Sequence, residues 1–259
     1  MRFLGNVLAT VIGIFVFMML SFFGIILIGV IFGGDSETVE VENNSVIELN
    51  LSDISDDYAG KYSDPWVTAF SERKKIGLTD VINAIEIAET DDAIKGISIL
   101  NTNSSLGMAQ SKELRDALNR FKKSGKFIYS YANSYSQKEY YLNSVATSIY
   151  INPIGELDFK GLSTEVMFFK DFQEKSGLKM EVIRHGKYKS AVEPFLENKM
   201  SDANKEQTMA LLNGIWTNIV EDISKSRNIP VEKLNTIANG LLARTPEMAK
   251  AQNLIDYIA

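Results

Sequence analysis

At 259 residues, 45% hydrophobic and 23% charged, the chain is long enough to bury a real core and has the composition of a folded protein. A formal net charge of -6 and a pI near 5.1 argue against nucleic acid as a partner, because no basic stripe is available to neutralise phosphates. With no cysteine and one histidine, His185, there is no disulfide framework and neither a Cys-rich nor a multi-His zinc site. A carboxylate-only metal site has no motif behind it, and no metal is expected.

The first element is the run from Phe3 to Phe32, which carries no charged residue. Roughly 20 apolar residues already span a bilayer, whereas the apolar region of a cleavable signal peptide is only about 7–15 residues long. The run predicts a single membrane helix, residues 1–34, followed by an acidic linker, 35–44, and a folded body, 45–259. Arg2 lies on one side of it and Asp35, Glu37, Glu40 and Glu42 on the other. The basic side sets orientation, so the N-terminus is expected to be cytoplasmic and the body extracytoplasmic.

"SVIELNLS" (Ser45 to Ser52) puts Ile47, Leu49 and Leu51 on one face, as a half-buried strand would. A polar excursion to about Lys75 follows. Val81, Ile82, Ile85 and Ala88 then recur at helical spacing behind Thr79, a candidate N-cap, and Asp91-Asp92 closes the helix. "IKGISIL" (Ile94 to Leu100) reads as a strand. Leu114, Ala117, Leu118 and Phe121 form a helix behind the candidate cap Ser111, stopped by Gly125. "KFIYSY" (Lys126 to Tyr131) is a strand, "YYLNSVA" a helix and "SIYIN" a strand. A helix around Glu165 to Lys175, a strand from Leu178 to Arg184 and a long helix from about Asp202 to Ser226 complete the pattern. Alternation of this kind predicts an α/β protein with a mainly parallel sheet. Leu211, Leu212, Ile215, Trp216, Ile219, Val220 and Ile223 give the long helix a wide apolar face that needs the sheet or a second subunit to cover it.

Three routes to catalysis can be weighed on the residues alone. A Ser-His-Asp triad would have to use His185, and no Gly-x-Ser-x-Gly elbow accompanies it. Neither glycine-rich phosphate loop is present, so no nucleotide cofactor is expected. A serine paired with a lysine base needs a neutral lysine, and hence a desolvated one. "GKYKSAVEPF" (Gly186 to Phe195) offers Lys189 among Tyr188, Ala191, Val192 and Phe195, with Lys187 nearer the glycine turn. By spacing alone both lysines also fit ordinary solvated charges.

"GKYKSAVEPF", the following "MSDANKEQ", "GLTDVINAIEIAETDDAIKGISI" (Gly77 to Ile99), "SYSQKEYYLNSVATSIYINPIGELDFKGL" (Ser134 to Leu162) and the apolar N-terminus together resemble the signal peptide peptidase A (protease IV) family. The likeness covers nearly the whole chain and is nearest to the N-terminal half of the long, two-domain members. It implies a Clp protease/crotonase-like fold of stacked β-β-α units, assembly into a homo-oligomeric ring, and residence in the bacterial inner membrane. It also implies that the lysine of the Tyr-Lys-Ser-Ala motif, Lys189, is the general base of a Ser-Lys dyad. Aligning the tyrosine pair on Tyr140-Tyr141 puts Gln137 at the family serine position and Lys138-Glu139 where two glycines belong, so no nucleophile is expected in this chain. Ser136, one residue away, reads as a turn serine. The oxyanion turn is reduced to "NTNSSLGMAQ", with Gly107 as its remnant, whereas Ser190 and Glu193 are candidates to orient Lys189 or cap the next helix.

The resemblance therefore implies a membrane-anchored serine endopeptidase domain acting on cleaved signal peptides. Its partner would be a C-terminal peptidase domain that carries the serine. The alternative is an inactive membrane-anchored scaffold that binds peptides or assembles partners. A crotonase-like enzyme acting on acyl thioesters is opposed by the anchor and by the Tyr-Lys-Ser-Ala motif.

Overall fold

A computed structural model describes residues 2–32, 41–58, 76–101, 103–183 and 185–259, which form two compact units, Met1–Val41 and Glu42–Ala259. The first is α1 (Arg2–Phe32), with no charge after Arg2 and with its large apolar side chains from Phe3 to Leu27 exposed. Its stretch Arg2–Leu27 is long and apolar enough to cross a membrane. The Thr10 hydroxyl donates to the Asn6 carbonyl at 2.9 Å, so this polar group is satisfied within the helix.

In the second unit, β1 (Ser45–Asn50), β4 (Ile94–Asn101), β5 (Phe127–Ala132), β6 (Ser148–Ile151) and β7 (Tyr257–Ile258) form one sheet in the order β1-β4-β5-β6-β7, and every pairing is parallel. A second, two-stranded parallel sheet pairs β2 (Ile54–Asp56) with β3 (Ile76–Gly77). Helices α2 (Leu78–Thr90), α3 (Met108–Lys123) and α4 (Gln137–Asn143) alternate with the central strands. Then come α5 (Lys170–Ser176), α6 (Glu193–Leu196), α7 (Asp202–Arg227), α8 (Val231–Asn239) and α9 (Pro246–Ala251). The expected α/β architecture with a parallel sheet is the one observed. Ile97, Ile99, Ile128, Ile149 and Ile151 from the strands pack with Leu114, Leu118 and Phe121 of α3 in the core. These strand residues share one face of the sheet, while the opposite face carries Ser98, Ser148 and the exposed Tyr129 and Tyr257.

Several expectations are corrected. Helix α2 begins at Leu78, capped by Gly77 rather than Thr79, whose backbone N–H donates to the Asp57 carbonyl at 3.1 Å. Helix α3 begins at Met108, and Ser111 lies buried inside its first turns; the Gln110 side chain folds back instead to accept from the Gly107 N–H at 2.8 Å. The helix around Glu165 to Lys175 is the shorter α5, and the strand expected from Leu178 to Arg184 is not formed over 178–183, while Arg184 lies outside the described residues. Its alternating pattern suits a strand, yet no other strand lies alongside it among the described residues, and the Met180 N–H is met by the Gln173 side chain at 2.8 Å. The polar excursion falls mostly on residues 59–75, outside the described residues. Helices α8 and α9 and strand β7, which lines up beside β6, carry the chain from the long helix back to the sheet.

Two fully buried tyrosines tie these layers together. Tyr135 donates to the Tyr150 carbonyl at 3.0 Å, and Tyr140 to the Leu254 carbonyl at 2.8 Å. Burial pushes both phenols above their ordinary value of 10.0, because the charged form would be desolvated. A folded-state value above the unfolded one means that the stability is fully present below about pH 10 and is lost as pH rises beyond it. The urea midpoint is therefore expected to hold up to about pH 9 and to fall above about pH 10, less steeply in Tyr140→Phe than in the parent chain.

Candidate active site

The residues singled out in the sequence lie in two places. The first is the turn between β5 and α4. Ser136 is the N-cap of α4: its backbone is extended (φ -66, ψ 160) and its hydroxyl accepts from the Glu139 N–H. Glu139 completes the capping box, its Oε2 accepting from the Ser136 N–H at 3.0 Å and from the Ser136 hydroxyl at 2.7 Å. Ser136 is thus occupied with starting a helix, as a turn serine would be.

Gln137 is equally committed. Its Oε1 accepts from the backbone N–H groups of Lys160 at 3.0 Å and Gly161 at 2.7 Å, and its Nε2 donates to the Gly161 carbonyl at 2.8 Å. The side chain at the family serine position is therefore a staple that fixes the 160–161 loop. Lys138 donates to the Leu106 carbonyl, and Glu139 Oε1 accepts from the Ser104 N–H at 3.2 Å. Three consecutive side chains, 137 to 139, reach out to the two loops that flank this end of the sheet.

The turn that would supply an oxyanion hole is satisfied in the same way. Besides Ser104, the Leu106 N–H donates to the Ser104 hydroxyl at 3.4 Å and the Gly107 N–H to Gln110 at 2.8 Å. An oxyanion hole needs N–H groups left free for charge that develops in the transition state. Here they are met by side chains of the chain itself, one of them a carboxylate. Beneath the turn, Asn143 Nδ2 donates to Asn101 Oδ1 at 2.8 Å, while its Oδ1 accepts from the Ser130 hydroxyl at 2.7 Å, locking the ends of β4 and β5 to α4.

The second place is the segment "GKYKSAVEPF". Gly186, at φ +102, takes the left-handed conformation that opens it, one that a side chain would strain. Lys187 Nζ sits 5.1 Å from the Tyr188 ring centroid, whose hydroxyl donates to Glu206 Oε2 at 3.2 Å. Lys187 is exposed, consistent with an ordinary surface charge. Lys189 precedes a single 3-10 turn, Ser190–Val192, that runs directly into α6. It is exposed and lines a groove of about 460 Å³ together with Ile183, His185, Tyr188, Ser190 and Gln207. None of residues 104–107 or 136–139 lines that groove.

Glu193 does not serve the lysine. Buried at 2% exposure, it accepts from both the backbone N–H and the hydroxyl of Ser201, the latter at 3.0 Å. Ser201 is in turn the N-cap of α7, its hydroxyl accepting from the Asn204 N–H at 3.2 Å. Sequence reasoning left Glu193 between orienting the lysine and capping a helix. The structure places it one step behind the cap, as a clasp from the Lys189 turn to the start of α7. At the other side, Phe195 stacks on Phe169 at 5.7 Å, and its carbonyl accepts from Gln173 Nε2 at 2.8 Å.

The Glu139 carboxylate in the oxyanion turn was missed by sequence reasoning, although Ser-x-x-Glu at 136–139 is a readable capping box. Among the described residues no group of three or more His, Asp or Glu side chains could hold a metal ion.

Known proteins match over both places. Residues 120–259 match the family described as Peptidase family S49. The chain is 36% identical over 220 residues to Protease 4 of Haemophilus influenzae, covering 81% of this chain and 35% of that protein. It is 34% identical over 191 residues to Protease 4 of Salmonella typhi, covering 70% and 31%. Against the chloroplastic serine protease SPPA of Arabidopsis thaliana it is 31% identical over 199 residues, covering 77% and 28%. The chain spans about a third of the length of these curated relatives. Matched by the family over residues 120–259, and 31–36% identical to these relatives over most of its length, the chain belongs to peptidase family S49.

Proposed function

We propose that this chain is the base-supplying part of a membrane-anchored serine endopeptidase of signal peptide peptidase type. Lys189 acts as general base, and another peptidase domain brings the serine and the oxyanion hole. The observation that carries this reading is the commitment of the 137–139 side chains and of the Ser104, Leu106 and Gly107 N–H groups to internal hydrogen bonds, while Lys189 stands exposed in a separate groove. A lysine takes a proton from serine only when it is neutral, which requires a covered, desolvated setting. The second domain is thus assigned two roles, delivering the nucleophile and closing over Lys189.

The surface around the base suits such a partner. Ile183 lines the Lys189 groove and is exposed, Met209 and Leu211 are exposed on the N-terminal half of α7, and the apolar face of α7 is buried only in its C-terminal half, at Ile219, Val220 and Ile223. The proposed substrates are cleaved signal peptides, and α1 is the proposed inner-membrane anchor, with a cytoplasmic N-terminus, an extracytoplasmic body and a ring of several copies.

A fluorophosphonate probe tests this reading. The isolated chain should remain unlabelled, whereas a mixture with a family domain that carries the serine and its two glycines should be labelled on that domain's serine. Labelling of Ser136 or Ser190 in the isolated chain would show that the nucleophile is local. A mixture that stays unlabelled, yet binds peptide, would favour an inactive scaffold, which the occupied serine position also fits.

A further inference from the structure

A groove of about 760 Å³ runs between the C-terminal half of α3 and the C-terminal part of α7, and none of residues 104–107, 136–139 or 186–195 lines it. Five cations line it, Arg115, Arg120, Lys122, Lys123 and Lys225, against two carboxylates, Asp116 and Asp222. In a chain of net charge -6 this is a local reversal of sign. Both carboxylates are already engaged: Asp116 pairs with Lys112 at 2.8 Å, and Asp222 accepts from the Tyr141 hydroxyl at 2.9 Å, with Lys225 3.7 Å away. Arg120 is paired with Glu86 at 2.7 Å.

Arg115, Lys122 and Lys123 have no carboxylate within ion-pair distance among the described residues. Arg115, only 1% exposed, donates to the carbonyls of Tyr141, Leu142 and Asp222 and to the hydroxyls of Ser144 and Ser226, all neutral acceptors, and its Nε finds no partner. Lys122 donates to the Val145 carbonyl at 2.9 Å. Burial lowers its pKa, and the neighbouring Arg227 and Arg115 lower it further. Buried cations ordinarily have an anionic partner, since desolvation costs several kcal/mol per ion. Here like charges converge on a concave surface and lack one.

We propose that this groove binds a phosphate-bearing anion, either free phosphate or the phosphate of an anionic lipid headgroup. Lysines on two helices approach it as point charges from different sides, which suits the several oxygens of a phosphate better than a planar carboxylate.

The test uses the full chain in neutral detergent and follows thermal unfolding by circular dichroism. Inorganic phosphate is compared with sodium chloride at equal ionic strength, and dioctanoyl phosphatidylglycerol with dioctanoyl phosphatidylcholine. The charge-reversed variant is Lys123→Glu/Lys225→Glu, at two exposed positions whose change leaves the core intact. The parent chain is expected to gain stability with the phosphate ligands, and the variant to need about tenfold more of them for the same shift. A response to both ligands assigns the site to phosphate itself, and a response to phosphatidylglycerol alone assigns it to a lipid headgroup. An equal response in parent and variant, or no gain over sodium chloride and phosphatidylcholine, overturns the proposal.

Discussion

Replacing Lys189 by alanine in the enzyme completed by its serine-bearing domain is expected to lower kcat/KM by about a thousandfold, the range in which a positioned general base contributes. The loss should fall mainly on kcat, because proton transfer from serine is made in the transition state and not on substrate binding. Stability should barely change, since Lys189 is exposed. Steady-state kinetics on a peptide substrate, alongside urea unfolding of the same variant, separates the two effects. Unaltered kcat would remove Lys189 from the mechanism.

Gln137→Ser restores the residue type found at the family's nucleophile position, and it is expected to give a less stable chain with no activity of its own. Three hydrogen bonds from Gln137 to the 160–161 backbone are lost, at about 1 kcal/mol each, and serine is too short to remake them. The urea midpoint should fall by an amount equivalent to about 2–3 kcal/mol with the slope unchanged. No fluorophosphonate labelling at residue 137 is expected. The Ser104 N–H remains on the Glu139 carboxylate, and a negative charge there would repel an oxyanion rather than stabilise it. Labelling of the new serine would show that Glu139 yields the turn more readily than its hydrogen bonds suggest.

The alternation of strands and helices was legible in the sequence because each central element carries its own periodicity: Ile97 and Ile99 declare a strand and Leu114, Leu118 and Phe121 a helix without reference to anything distant. What failed was information that is not local. Leu178 to Ile183 has the alternation of a strand, but a strand exists only beside another, and among the described residues none lies there. Thr79 and Ser111 have the right chemistry for caps, yet the helices start earlier, because Asp57 and Gln110 meet the backbone groups that a cap would serve. At the candidate site, the loss of the serine and glycines was visible as Gln137, Lys138 and Glu139. Their new work was not, because it depends on loops at 104–107 and 160–161 that only the fold brings within reach.

Helix α7 is about 39 Å long. Its far end is gripped by the core through Ile219, Val220 and Ile223, and its near end begins at Ser201, which Glu193 ties to the turn of Lys189. In the proposed enzyme such a rod would act as a cantilever with Lys189 hung from its near end. Load applied along the exposed apolar flank at Met209 and Leu211 would be borne at that end, so the proposal makes assembly and the aim of Lys189 one mechanical variable.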